Sequence, residues 1–157
     1  MSRSADISRI TEYLYVGGQP HPEHAAELAD LGVRLVISMR GEVKPPEVFH
    51  QAPFQAMWLR TYDTFFTPIP IAKLMEGARV AVAAIARGER VLAHCHHGRH
   101  RGVAMGAAIL IAKGFSADEA MRLLRQQRRL ADPQAWYIRR QIKKFEKQWK
   151  KEVGMPR

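Results

Sequence analysis

Val91-Leu92-Ala93-His94-Cys95-His96-His97-Gly98-Arg99-His100-Arg101-Gly102 is the stretch on which the fold turns. Val91 to Ala93 is a short apolar run suited to a central strand. Gly102 to Lys113 reads as an almost wholly apolar helix closed by Gly114, and a helix apolar on every side is a buried one. The segment between them is therefore a tight loop that leaves a strand and enters the N-terminus of a core helix. Such an N-terminus carries about half a positive charge and several free amides, so the geometry favours a bound phosphate. The same field favours the thiolate of a cysteine held there. Gly98 permits the backbone torsions of an anion nest. Arg101 can fold back over the loop, its planar fork matching two phosphoryl oxygens and the charge that grows on them in a transition state.

The spacing of Cys95 and Arg101 alone says little, because 17 of the 157 residues are arginine. Joined to the preceding strand, the internal glycine and the buried helix, it points to nucleophilic chemistry on phosphate. The bland alternative for a lone cysteine is a small buried hydrophobe. With no second cysteine, an internal disulfide is excluded.

The flanking chain supplies more strands and helices. Tyr13 to Val16 reads as a short strand ended by Gly17-Gly18, Val33 to Ser38 as a buried strand, and Phe54 to Leu59 as a third. Pro22 to Leu31 has helical spacing, Pro45 to Gln51 suits a short helix, and Pro68 to Arg87 a long Ala-rich one stopped by Gly88. Ser116 and Glu119 form a capping box for a helix ending near Leu130. Asp132 before Pro133 predicts the cap of the last helix, with Trp136, Ile138, Ile142, Phe145 and Trp149 on one stripe. Strands alternating with helices, with few hairpin signals, predict a single α/β domain over residues 1–157 (core about 7–150): a mostly parallel sheet of about four or five strands, flanked by helices on both faces. Ligands in such sheets sit where a strand's carboxyl end meets the next helix, which is where Cys95 falls.

Composition is that of an ordinary globular chain, 46% hydrophobic and 25% charged. Met1 to Arg9 lacks the apolar core of a signal peptide, and Gly102 to Ala112 is too short to span a bilayer, so a cytoplasmic monomer is the expectation. The net charge of +10 resides entirely in residues 91–157, which hold fifteen Lys/Arg and five Asp/Glu. That half suits an anionic partner: a phosphorylated substrate, or a membrane or RNA met through the last helix. The plain alternative is a solvated basic face.

The loop from Cys95 to Arg101 resembles that of the Cys-x5-Arg phosphatases, specifically the small dual-specificity group. Ile10 to Gly17 looks like that group's first strand, and Ser116 to Ala120 with Arg128-Arg129 and Pro133 like its closing helices. The resemblance implies a two-step phosphomonoester hydrolysis without metal or cofactor. Cys95 takes the phosphoryl group as phosphocysteine, an aspartic acid protonates the leaving oxygen, and water completes the reaction. His94 would tune the thiolate, while His96, His97, Gly98, Arg99, His100 and Arg101 would hold phosphate.

Of the five aspartates, Asp6 lies near a terminus expected to be mobile, Asp30 ends a helix, and Asp118 and Asp132 sit at helix starts. Asp63, following the third strand in Thr61-Tyr62-Asp63-Thr64-Phe65-Phe66, is the expected acid; its plain alternative is a loop-capping turn residue. The family usually has Ser or Thr after the loop arginine, where this chain has Gly102. Phosphocysteine should then form normally and break down slowly, unless Thr64, Thr67 or water substitutes.

Rival readings differ in chemistry. Four histidines beside a cysteine suggest a transition-metal site, yet adjacent residues rarely converge on one ion and His21, His24 and His50 have no paired spacing. A rhodanese-like loop is one residue shorter, and its fifth position after the cysteine is here His100. A phosphate-binding module that holds its ligand without turnover is the non-enzyme reading, kept open by Gly102. The basic loop predicts phosphotyrosine, phosphoserine or phosphothreonine substrates, or polyanions such as phosphoinositides and 5′-triphosphorylated RNA.

Overall fold

The computed structural model describes residues 3–154. Five strands, β1 (Ile7–Arg9), β2 (Leu14–Gly17), β3 (Val33–Arg40), β4 (Gln55–Thr61) and β5 (Arg90–His94), form one sheet in the order β1-β2-β5-β3-β4. Only β1 and β2 run antiparallel. The apolar run before Cys95 is thus the middle strand, with Ala93 level with Val16 on one side and Ile37 on the other. β1 is an edge strand that sequence periodicity did not reveal, since Ile-Ser-Arg is too short to show alternation.

Alternation along the inner strands sends their side chains to opposite faces. Tyr15, Val36 and Leu92 join Leu28, Phe49 and Phe54 in a small core on one face, closed by α1 (Ala25–Asp30) and a 3-10 turn over Glu47–His50. Leu14, Val16, Leu35, Ile37, Val91 and Ala93 point the other way into the main core. That face is covered by α2 (Ile71–Ala86), α3 (Arg101–Ala112), α4 (Ala117–Gln127) and α5 (Trp136–Glu152).

Helix α3 is buried continuously from Arg101 to Ile111, as its composition requires. Its N-terminus is therefore held rigidly against the end of β5. Ser116 caps α4 through the expected reciprocal bonds with Glu119. Two expectations fail. Asp132 caps nothing: α5 begins four residues later, with Ala135 at its N-cap. Trp136 stands apart from the buried stripe of Ile138, Ile142, Phe145 and Trp149 and is 61% exposed, because at about 100° per residue it projects from the opposite face of α5. Among the described residues no helix is long and apolar enough to cross a membrane.

Candidate active site

The loop from Cys95 to His100 joins β5 to α3, and the bonds made by its carbonyls show how it is turned. The carbonyl oxygens of His96, His97, Gly98 and Arg99 accept, respectively, from the Gln19 amide (3.1 Å), Arg128 Nη2 (2.8 Å), Arg128 Nε (2.8 Å) and the Asp132 amide (2.9 Å). Every one of these donors lies outside the loop. Among the described residues none of the amides of residues 96–100 donates to a protein acceptor. With its carbonyls tied outward, the loop turns its amides inward, the arrangement of an anion nest. Gly98 makes this possible at φ +66°, where a Cβ would lie 2.5 Å from the Gly17 carbonyl carbon.

Arg128 is the outer strap. Buried to 3% exposure, it spends its remaining donors on Asp6 (3.1 Å to each oxygen) and Ser8 Oγ (3.1 Å). Asp6 is thereby fixed to the core of the site, in place of the mobile terminus expected of it. Replacing Arg128 by methionine keeps the bulk and leaves two loop carbonyls without donors. The expected loss is about 2–4 kcal/mol of stability and roughly tenfold or more in inhibition by inorganic phosphate, read by urea unfolding and by competition kinetics.

Inside the loop lies a pocket of about 250 Å³ lined by Glu42, Asp63, Cys95, His96, His97, Arg99, His100 and Arg101. Cys95, 3% exposed, contributes its small accessible surface here. All the phosphate-holding side chains expected from the sequence reach this space, while Gly98 takes part through its backbone. Arg101 is also 3% exposed and does not turn away to water. Its Nη1 donates to Glu42 Oε1 (2.7 Å) and the Thr61 carbonyl (2.9 Å), and its Nη2 to Glu42 Oε2 (3.0 Å). Its Nε is buried without a partner among the described residues. Glu42 thus occupies the end of the fork, leaving the Nε edge for another anion. The Arg101 bonds hold Glu42 down to about 2. Burial alone would lower Arg101, but Glu42 and the Cys95 sulfur more than offset it and raise the guanidinium further.

Asp63 is gripped from two sides. Its Oδ1 accepts from the Tyr137 hydroxyl (2.9 Å), and its Oδ2 lies 3.0 Å from His100 Nδ1. His100 Nε2 in turn lies 3.4 Å from Asp132 Oδ2. Tyr137 is pushed up to about 12, by burial first and then by Asp63, so it keeps its proton and remains a donor. A protonated Asp63 can donate to His100 Nδ1 while Nε2–H donates to Asp132. The chain of groups fixes the orientation of the Asp63 carboxyl. Thr64 is less available than expected: its Oγ1 accepts from the amides of Phe66 and Thr67 and bonds Thr67 Oγ1 (3.0 Å).

His94 sits behind the loop, 1% exposed, with Nδ1 3.4 Å from the Cys95 carbonyl. Burial pulls it down to about 4, opposed by that bond and reinforced by Arg40 and Arg101. His96 is lowered too, by burial first and then by Arg40. The loop is accordingly less cationic than its histidine count suggests, with Glu42 and Asp63 also facing it. The His94 shift has a stability consequence. An unfolded chain binds this proton near pH 6.5, the folded one only near pH 4, so stability is complete above 6.5 and drains away as pH falls toward 4. About 3 kcal/mol is lost across that window. Urea midpoints measured downward from pH 6.5 should fall in the native chain and fall much less in His94→Asn.

Gly102 is pressed against the strand end: a Cβ there would lie 3.1 Å from His94 Cα and 3.2 Å from the Cys95 nitrogen. Among the described residues no three His, Cys, Asp or Glu side chains group as metal ligands would. Glu42, Arg128 and Tyr137 were not singled out by sequence reasoning as functional.

Residues 14–148 match the family model of the dual specificity phosphatase catalytic domain, and the chain belongs to that family. Solved structures agree in fold. A mouse dual specificity phosphatase, described as putative and complexed with zinc tungstate, superposes with a TM-score of 0.84 at 20% identity, over 100% of this chain and 96% of that one. PTPMT1 gives 0.83 at 25% identity, over 96% and 99%. Human DUSP28 gives 0.81 at 23%, over 92% and 99%. No curated protein matches the chain.

Proposed function

We propose that this chain hydrolyses phosphomonoesters through a phosphocysteine at Cys95. The observation that carries the reading is the loop whose four carbonyls are bonded from outside while its amides stay free, wrapped around a thiol at a helix N-terminus. A phosphoryl group held there has Cys95 beneath it, the Arg101 Nε edge beside it and Asp63 above its leaving oxygen. The sulfur attacks phosphorus as the ester P–O bond breaks, and Asp63 gives its proton to the departing oxygen. Water then attacks the phosphocysteine, returning a proton to Asp63 and releasing inorganic phosphate and the thiolate. Acid quenching during turnover should trap phosphate covalently on Cys95; a chain that turns over without ever carrying label would overturn this route.

Substrates with a compact dianionic phosphate fit the pocket, since Glu42 and Asp63 offset part of its positive charge. A PTPMT1 structure in complex with PI(5)P (24% identity, TM-score 0.83) supports including phosphoinositides among the candidates.

Gly102 favours slow breakdown of the intermediate. No hydroxyl stands where the family usually places one, and the Thr64 and Thr67 hydroxyls are engaged in their own turn. Rapid-quench kinetics should show a burst close to one product per chain, followed by a slower steady rate. Gly102→Ser, after a shift of a few tenths of an ångström to admit its Cβ, should shrink the burst and speed the later phase. A linear start in the native chain would remove the argument.

A further inference from the structure

A run of aromatic rings leads out of the pocket onto the surface. From His100 it passes to Tyr137 (5.6 Å between centroids), Trp136 (5.9 Å), Phe65 (6.1 Å) and Phe66 (4.1 Å). Phe65, Phe66 and Trp136 are 52%, 80% and 61% exposed. Three large rings left in water beside a binding pocket are costly to keep solvated, and a patch of this kind marks an interaction surface.

Trp136 also begins a second feature. Together with Arg140, Lys144, Lys147 and Lys151 it lies on an arc of about 80° around α5, at about 100° per residue. All five side chains are exposed. Among the described residues none of those four cations has a carboxylate partner, whereas Lys143 and Lys150, beside the arc, are paired with Asp118 and Glu146. Lys144, Lys147 and Lys151 also line a groove of about 550 Å³ against α2, where Ile71, Ala72 and Met75 supply apolar surface.

We propose that this face seats the protein on an anionic phospholipid bilayer, with Trp136, Phe65 and Phe66 at the boundary between headgroups and acyl chains and the α5 cations over the headgroups. Aromatic rings prefer that boundary, and basic residues along the same helix face are attracted to the negative surface beneath it. The rings here lean on one another and form a joint apolar knob, whereas single-stranded nucleic acid needs ring faces free for stacking. The seated orientation would present the Cys95 pocket to phosphomonoesters carried on lipid headgroups. That last consequence rests on the phosphatase reading; the seating itself does not.

The test uses the full chain carrying Cys95→Ser, so that chemistry plays no part. Cosedimentation with phosphatidylcholine vesicles containing phosphatidylserine should show binding that is lost with phosphatidylcholine alone and weakens steeply with salt. Lys144→Glu with Lys147→Glu should weaken it by roughly twentyfold or more, about fivefold for each lysine lost. Lipids brominated on their acyl chains should quench tryptophan emission, and Trp136→Phe should abolish the quenching. Trp58 donates its N–H to the Arg40 carbonyl and Trp149 is only 8% exposed, so neither replaces it. No binding to the anionic vesicles at low salt, binding without quenching, or a preference for single-stranded RNA over them would each overturn the proposal. Native chain that binds these vesicles yet releases no phosphate from a lipid phosphomonoester within them, or from p-nitrophenyl phosphate, would overturn the phosphatase reading and leave the seating intact.

Discussion

Serine in place of Cys95 should lower the turnover of p-nitrophenyl phosphate by roughly 10⁵-fold or more while leaving the fold and phosphate binding in place. The two side chains differ by one atom, so the buried site accepts the change without a cavity. What changes is the nucleophile. Sulfur is intrinsically the stronger nucleophile, and a serine hydroxyl is far too weak an acid to take its place without a neighbouring base. The inward amides of residues 96–100 and the Arg101 fork are backbone and side-chain features that the substitution does not touch. Affinity for inorganic phosphate should therefore stay within a few-fold of the native value while initial rates collapse. The comparison also separates an enzyme from a mere binding module, since only the former has turnover to lose. If a stably folded Cys95→Ser chain kept a per cent or more of the native rate, the nucleophile would have to be sought among His96, His97 and His100, which line the same pocket.

The parts of this site that were legible in the sequence are those made by neighbours along the chain. Cys95, Gly98 and Arg101 share one loop, and the apolar run of α3 announces both its burial and the fixed position of its N-terminus. Asp63 stands out among five aspartates because its loop before Cys95 resembles the acid loop of the family, a likeness that spacing within the chain does not supply. The supporting shell could not be reached this way. Arg128 and Asp6 are 122 positions apart, and Arg101 and Glu42 are 59 apart; no spacing rule connects residues at such separations. Asp132 was misjudged for a related reason. An aspartate before proline fits a helix cap locally, but here its amide is drawn to the Arg99 carbonyl and its carboxylate faces His100, so tertiary partners outrank the local motif. Trp136 does not share the buried stripe: at about 100° per residue it falls on the far side of α5 from Ile138, Ile142, Phe145 and Trp149, in line with the exposed cations.

Arg101→Lys should reduce kcat/KM by about a thousandfold, and the pattern of its contacts explains why a conserved charge is not enough. The guanidinium does two jobs at once. Its Nη1 and Nη2 hold both oxygens of Glu42 and the Thr61 carbonyl, while the buried, unpartnered Nε faces no protein acceptor among the described residues. The free edge can then present parallel donors to two phosphoryl oxygens without releasing Glu42. A lysine ends in a single ammonium on a flexible stem and cannot occupy both positions. If it pairs with Glu42, the phosphoryl group loses its fork; if it turns to phosphate, Glu42 and the Thr61 carbonyl lose their donors. Those bonds matter most when negative charge spreads over the transferring group, so the loss should fall mainly on kcat, with a smaller rise in KM. Glu42→Gln provides the complementary measurement. The amide can still accept from one arm of the fork but anchors it less firmly, so kcat/KM should fall by roughly tenfold, well short of the lysine variant. Steady-state kinetics on p-nitrophenyl phosphate for both variants, with urea unfolding to confirm that each is folded, decide the matter. An Arg101→Lys chain within tenfold of native kcat/KM would show that a point charge suffices, and the two-edged arginine would have to be abandoned.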